Sequence, residues 1–336
     1  MRASSRSPRR PRRARPEPRA SMRDMTPDLR ADADIFVVPA TEVERGRPVM
    51  TSSTPPKRSS LPGQLVELRP ARHRVIAVSG GKGGVGKSTL STNLAAHYAS
   101  LGSKTLLMDG DLGMADLNLL LGVAPAKSLL DLLRGDDADE VLVDAWGLKL
   151  LPALNGSYAL ANLSDELRAG LTRTIARLAT RFETLVVDTA AGIDQDTMAM
   201  VNLASEALVV ATSDPLSLAD AYACVKVLSR HHGMRRVYVV PNNVRTPTEG
   251  DAIVAQLTKL TSRFLDIELV PLPAVPHEPL VGSCAAEGAP LVLSRPDSGG
   301  ARAIRKLART LDTLAMADRE SRDARARLLR LAGEVG

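Results

Sequence analysis

The sequence predicts an α/β protein built on a doubly wound, mostly parallel sheet, and three observations carry that prediction. From Arg74 onward, short apolar runs of strand length alternate with longer segments of helical period. The first run is joined to the first helical segment by a glycine-rich loop. Of the 336 residues 44% are hydrophobic, which supplies a core for one domain of about 240 residues. Alternation of this kind requires a sheet covered on both faces, with sites at the carboxyl ends of the strands.

Taken in order, Val75-Ile76-Ala77-Val78 opens a strand at 74–79, and further strands are expected at 104–109, 148–152, 184–188, 206–211, 237–241 and 268–272. The helices between them are expected at 87–101, 164–181, 195–204, 217–231, 250–264 and 300–315. In the first helix Leu90, Leu94, Tyr98 and Leu101 follow a buried-face spacing and Gly102 supplies the stop. The chain therefore divides into an extension over 1–72, a folded domain over 73–315 and a tail over 316–336.

Composition excludes several functions. Aromatic residues are 2% of the chain, with Trp146 the one tryptophan, so no platform for stacking single-stranded bases can be assembled. Cys224 and Cys284 have no partners spaced for a metal site or a redox pair, which points to a reducing, cytoplasmic compartment. Apolar runs such as Leu185-Val186-Val187 fall far short of the roughly 20 residues of a membrane-spanning helix.

The net charge of +6 is unevenly placed. Residues 1–72 hold 16 basic and 8 acidic side chains, residues 73–311 hold 23 and 25, and residues 312–336 hold 5 and 5. The basic excess belongs to an Arg-, Pro- and Ser-rich extension without apolar periodicity, expected to be disordered. It reads as a phosphate-binding arm, a transit peptide or an inert extension with later starts at Met22, Met25 or Met50. Pro8, Pro11, Pro16 and Pro18 oppose the amphipathic helix of a transit peptide, and composition favours the inert extension.

The chemistry begins at Gly80-Gly81-Lys82-Gly83-Gly84-Val85-Gly86-Lys87-Ser88-Thr89. Residues 81–88 fit G-x-x-x-x-G-K-[ST] in a strand–loop–helix context, the signature of a phosphate-binding P-loop. The backbone N–H groups of Gly81, Gly83, Gly84, Val85 and Gly86, together with the helix N-terminus, would surround an anion. Lys87 would neutralise the β- and γ-phosphates of ATP, Ser88 would hold Mg²⁺ and Thr89 would border the nucleotide. Asp109 and Asp111 follow the second strand, where a switch loop meets the nucleotide. The strand ending in Asp188, followed by Gly192, has the form of a Walker B element. The amide of Asn242 offers the donor and acceptor that match an adenine edge.

Lys82-Gly83-Gly84-x-Gly86-Lys87-Ser88-Thr89 resembles the deviant Walker A box of the MinD/ParA family, which are SIMIBI-type P-loop NTPases. The resemblance implies that Lys82 reaches across a nucleotide-sandwich homodimer to the partner's phosphates, so that ATP binding and dimerisation are one event. Asp109-x-Asp111-x-Gly113-x-Ala115-Asp116-Leu117-Asn118 resembles the first switch of the MinD/FlhG branch, with Leu112-Gly113 where ParA proteins carry Pro-Gln. Carried over, Asp111 orients the attacking water and Asp109 is its companion. Many relatives read Asn then Asp where this chain has Asp116 and Asn118. Asp188-Thr189-Ala190-Ala191-Gly192-Ile193 is similar to the flagellar-number branch, FlhG. It implies that Asp188 holds Mg²⁺ through a water, that Gly192 lets the second switch sense the γ-phosphate and that Asn242 reads adenine. Glu278 stands where the family has Asp in a loop against the base, and receives no role.

The resemblance implies a cytoplasmic ATPase switch in which Mg·ATP drives homodimerisation, the dimer engages a protein partner or the membrane surface, and slow hydrolysis resets it. The process it favours is flagellum placement or number, with septum or other organelle positioning beside it. A DNA-partition protein using the basic extension is the rival from another class, which the slightly acidic folded part opposes. The tail places Ala317, Ser321, Ala324, Leu328, Leu331 and Val335 on one face beside Arg325, Arg327 and Arg330. Basic amphipathic segments of this kind lie on anionic membranes, but three leucines bury little area, and surface packing is preferred.

Overall fold

The computed structural model describes residues 73–112, 115–153 and 165–317. The extension over 1–72, Gly113 of the switch and the tail from 318 onward lie outside the described residues.

The strands are β1 (Arg74–Ser79), β2 (Thr105–Gly110), β3 (Val143–Ala145), β4 (Leu148–Leu151), β5 (Thr184–Thr189), β6 (Glu206–Ala211), β7 (Arg236–Val244), β8 (Glu268–Pro271) and β9 (Val275–Pro276). The helices are α1 (Lys87–Ser100), α2 (Leu117–Leu120), α3 (Leu129–Arg134), α4 (Ala138–Val141), α5 (Asp165–Ala179), α6 (Gln195–Asn202), α7 (Pro215–His232), α8 (Pro247–Phe264), α9 (Leu280–Ala286), α10 (Leu291–Ser294) and α11 (Gly299–Ala317). Among the described residues the sheet runs β3-β4-β2-β5-β1-β6-β7-β8, with β9 pairing β7. Every pairing is parallel except β3 with β4.

Alternation along β1 decides what each face receives. Val75 and Ala77 join a core with Leu171 and Ile175 of α5, Val201 of α6, Val225 of α7 and Leu257 of α8. Ile76 and Val78 face the other way, into a core with Leu94 of α1, Leu291 of α10 and Leu307 of α11. Both faces are covered, as a parallel sheet requires. No helix among the described residues is long and apolar enough to cross a membrane.

The seven predicted strands and six predicted helices are present, β1 and β6 with the expected bounds and the others with shifted ends. α7 and α8 begin earlier than expected because Asp214 and Thr246 cap them and Pro215 and Pro247 occupy the first helical position. Leu101 is a correction: α1 ends at Ser100, and Leu101 lies outside the buried face, 58% exposed. β7 runs on to Val244 because Asn243, at φ +58°, bulges the strand while Asn242 and Val244 pair with β9. The antiparallel β3 was not expected. It turns into β4 through Trp146-Gly147 at φ +52° and +82°, the left-handed pair that matches strand twist in a two-residue hairpin.

At the amino end of β1 the Arg74 guanidinium pairs with Glu206 of β6 at 3.3 Å and with Asp312 of α11, and lies 5.3 Å from the centre of the Tyr98 ring. The Tyr98 hydroxyl donates to the same Asp312 oxygen at 3.0 Å. One carboxylate thus ties the last helix to β1 and α1. Removing Asp312 leaves Arg74 paired with Glu206 but takes the acceptor from the Tyr98 hydroxyl and from one guanidinium N–H, and an unsatisfied buried group costs about 1–3 kcal/mol. Asp312→Ala is expected to lower unfolding stability by about 2 kcal/mol in a urea titration, while Thr313→Ala on the exposed side of α11 changes it little.

Candidate functional site

β1 lies between β5 and β6, so the loop after β1, the acidic end of β5 and the turn after β6 converge at the carboxyl edge of the sheet. The glycine loop is shaped by what it touches. A Cβ at Gly81 would collide with the Asp220 carbonyl of α7. Gly86 sits at φ +94° against the Asn242 amide, a left-handed conformation with no room for a side chain. Gly83 and Gly84 are exposed, Val85 is buried, and Ser88 and Thr89 open α1 half-buried.

Lys87, the first residue of α1, is buried, and its ammonium donates to the Lys82 carbonyl at 3.3 Å. Burial lowers its pKa, opposed by the nearby carboxylates of Asp188, Asp111 and Asp116. Asp188 and Asp109 are register partners on β5 and β2, both almost fully buried. Burial pushes Asp109 up to about 8, with the Asp188 charge adding to the effect. Burial likewise pushes Asp188 up to about 6, against stabilising contacts from the Ser88 and Ser91 hydroxyls. The Ser91 hydroxyl donates to Asp188 Oδ1 at 2.8 Å.

The two acidic switch residues play different parts. Asp109 Oδ1 accepts from the Asp111 amide at 3.1 Å and Oδ2 from the Leu117 amide at 3.3 Å, so Asp109 ties down both ends of the loop. Asp111, half-buried, stands on the Lys87 side. Gly192, at φ +112°, follows the β5 end and precedes Asp194, whose Oδ1 caps α6 through the Thr197 amide at 2.9 Å.

Two of the expected site residues have partners within the chain. The Asn242 amide nitrogen donates to the Val85 carbonyl at 2.6 Å, so its donor is engaged by the phosphate loop itself. Lys82 is paired within its own chain, with Asp214 ahead of α7. Sequence reading missed Ser91, although it lies one turn after Lys87 on the same helix face. It also missed Asp214, whose capping signal before Pro215 was legible. Glu278, given no role from the sequence, accepts at Oε2 from the Gly300 amide at 2.9 Å and anchors the start of α11.

The raised carboxyls make ligand-free stability depend on pH. A folded pKa above the unfolded value of about 4 means that the folded chain binds more protons between about pH 4 and the folded pKa. Stability from Asp109 is therefore greatest in acid and falls as pH rises through a window ending near 8, by at most about 1.4 kcal/mol per pH unit. Asp109→Asn should flatten the melting temperature against pH between 6 and 8 in nucleotide-free, Mg²⁺-free buffer, and raise it at pH 8. A slope as steep as wild type would assign the effect to another group.

Residues 76–291 match the model of the CobQ/CobB/MinD/ParA nucleotide binding domain. The chain is 37% identical over 252 residues to the antiactivator FleN of Pseudomonas aeruginosa, covering 74% of this chain and 89% of that protein. It is 33% identical over 211 residues to the flagellum site-determining protein YlxH of Helicobacter pylori, covering 62% and 71%. Among solved structures it is similar to the septum site-determining protein MinD of Pyrococcus horikoshii in complex with Mg-ADP. That match has a TM-score of 0.60 and 26% identity, over 72% of this chain and 97% of that one. With the loop, the paired acidic strand ends and these relatives in agreement, the chain belongs to the CobQ/CobB/MinD/ParA nucleotide-binding family and is a P-loop ATPase of the MinD/ParA type.

Proposed function

We propose that this chain is a Mg·ATP-dependent, dimerising switch ATPase that governs the placement or number of flagella. The observation that carries the chemistry is the buried Lys87 at the mouth of a glycine loop, facing carboxylates from β5 and the first switch. Asp109, held above its ordinary pKa by burial and the Asp188 charge, and Asp188, held up by burial and the Asp116 charge, form a site short of positive charge. That donor set, beside the half-buried Ser88, fits a divalent cation held between Ser88 and Asp188. When bound, Mg²⁺ offsets charge on the phosphate oxygens.

The chain's own groups do the rest. Backbone amides from Gly81, Gly83, Gly84, Val85 and Gly86 bind phosphate oxygens, and Lys87 donates to them with a full charge. Asp111, its backbone held by Asp109, orients a water, and Gly192 carries the second switch towards the phosphate end. Thr89 borders the nucleotide. Asn242 keeps the loop shaped through Val85 and offers its acceptor to a base. Lys82 crosses to a second copy of the chain. The ATPase domain spans 73–315, and the dimer acts in the cytoplasm on a flagellar or positioning protein. The flagellar assignment is supported by the likeness to FleN and YlxH.

Lys87→Ala is expected to reduce ATP affinity about 100-fold, since charged hydrogen bonds contribute about 1.5–3 kcal/mol each. Calorimetric titration with a nonhydrolysable analogue measures it, and wild-type affinity would remove the P-loop assignment. Asp111→Ala should keep nucleotide binding, lose turnover and accumulate as a dimer. In cells, a clean deletion should alter flagellar number. A change confined to cell length would support septum positioning instead, and one confined to chromosome distribution would support DNA partition.

A further inference from the structure

We infer that Asp214 is a positioning residue for Lys82: it holds the lysine inside its own subunit, and each protomer must release this ion pair to enter the dimer. The inference rests on the dimerising switch proposed above.

The geometry is local and firmly built. Lys82 Nζ pairs with Asp214 Oδ2. The other carboxylate oxygen, Oδ1, accepts from the Leu216 amide at 3.0 Å and caps α7, with Pro215 fixing the first helical residue. The turn carrying Asp214 is closed by the Thr212 amide donating to the Ser217 hydroxyl at 3.0 Å. One carboxylate thus serves as both helix cap and lysine partner.

The loop end of the pair is equally constrained. A Cβ at Gly80 would stand 2.9 Å from the Val210 carbonyl of β6, and one at Gly81 would strike the Asp220 carbonyl of α7. The chain entering Lys82 therefore lies flat against the elements that present Asp214. The Lys82 carbonyl also receives the Lys87 ammonium.

Asp214 is fixed at the start of α7 in its own subunit, so a Lys82 ammonium that turns across the interface to the phosphate of a second copy leaves this carboxylate. The Lys82 side chain is 33% exposed and that of Asp214 41%, so solvent screens the pair. Exposed pairs of this kind shift an equilibrium by up to about fivefold. Two pairs open per dimer, so the effect on the dimer dissociation constant is squared, to about 25-fold at most.

The test is a light-scattering titration of the full chain with a nonhydrolysable ATP analogue at matched occupancy. It compares wild type, Asp214→Asn, Lys82→Ala and the double variant. Asparagine caps a helix about as well as aspartate, so Asp214→Asn removes the charge and keeps α7. Asp214→Ser, a second uncharged cap, must reproduce its result.

Asp214→Asn should tighten the dimer, by up to about 25-fold, with monomer nucleotide affinity unchanged, and should change nothing when Lys82 is already alanine. If Lys82→Ala weakens the dimer while Asp214→Asn leaves it unchanged or weaker, the latch is wrong and the sandwich dimer stands. If Asp214→Asn acts equally with and without Lys82, Asp214 works by another route and the inference falls. If Lys82→Ala dimerises like wild type, the dimer reading fails, and the latch with it.

Discussion

A buried ammonium is tolerable only where opposite charge is close, and Lys87 is the buried ammonium on which this structure turns. It must stand at the first turn of α1, because only there do the helix N-terminus and the glycine loop present free amides. Its compensation comes from Asp188 at the end of β5 and from Asp111 beyond β2. These strands deliver their carboxylates to one level because β2 and β5 are in register, Asp109 opposite Asp188. The order β2-β5-β1-β6 is thus also an electrostatic arrangement.

Around that centre, polar groups are already paired with one another. Lys87 donates to Lys82, Asn242 to Val85, Ser91 to Asp188, and Lys82 is held by Asp214. Asp109 gathers the amides of Asp111 and Leu117. Ligand binding in such a site is an exchange of partners, and a ligand shifts the equilibrium only by the difference between the bonds it makes and those it displaces. The first switch leaves this region at Leu121 and Gly122, where the Trp146 indole donates to the carbonyls of Leu121 and Gly288, both at 3.1 Å. The hairpin between β3 and β4 thus ties the end of α2 to the segment that follows α9.

The far edge of the sheet has a different task. Arg74, Glu206, Tyr98 and Asp312 join β1, β6, α1 and α11 at the ends of the strands remote from the phosphate loop. Glu278 holds the start of the same last helix. α11 is thus secured at both ends, away from the groups that exchange partners.

The phosphate loop, the strand ends at Asp109 and Asp188 and the alternation of the fold were legible in the sequence, because each is a local pattern. A P-loop is eight consecutive residues, a strand shows itself in five or six, and a cap such as Asp214-Pro215 shows itself in two. Such patterns also determined the family, and with it the chemistry of ATP. What only the tertiary structure decided are the partners. Lys82 and Asp214 are 132 residues apart, Val85 and Asn242 157, Arg74 and Asp312 238. No periodicity links such positions, since a side chain's partner is set by which elements the sheet order brings together. The antiparallel β3 and the short β9 were illegible for a related reason: strands of three and two residues carry too little pattern, and exist because β4 and β7 present edges to pair with.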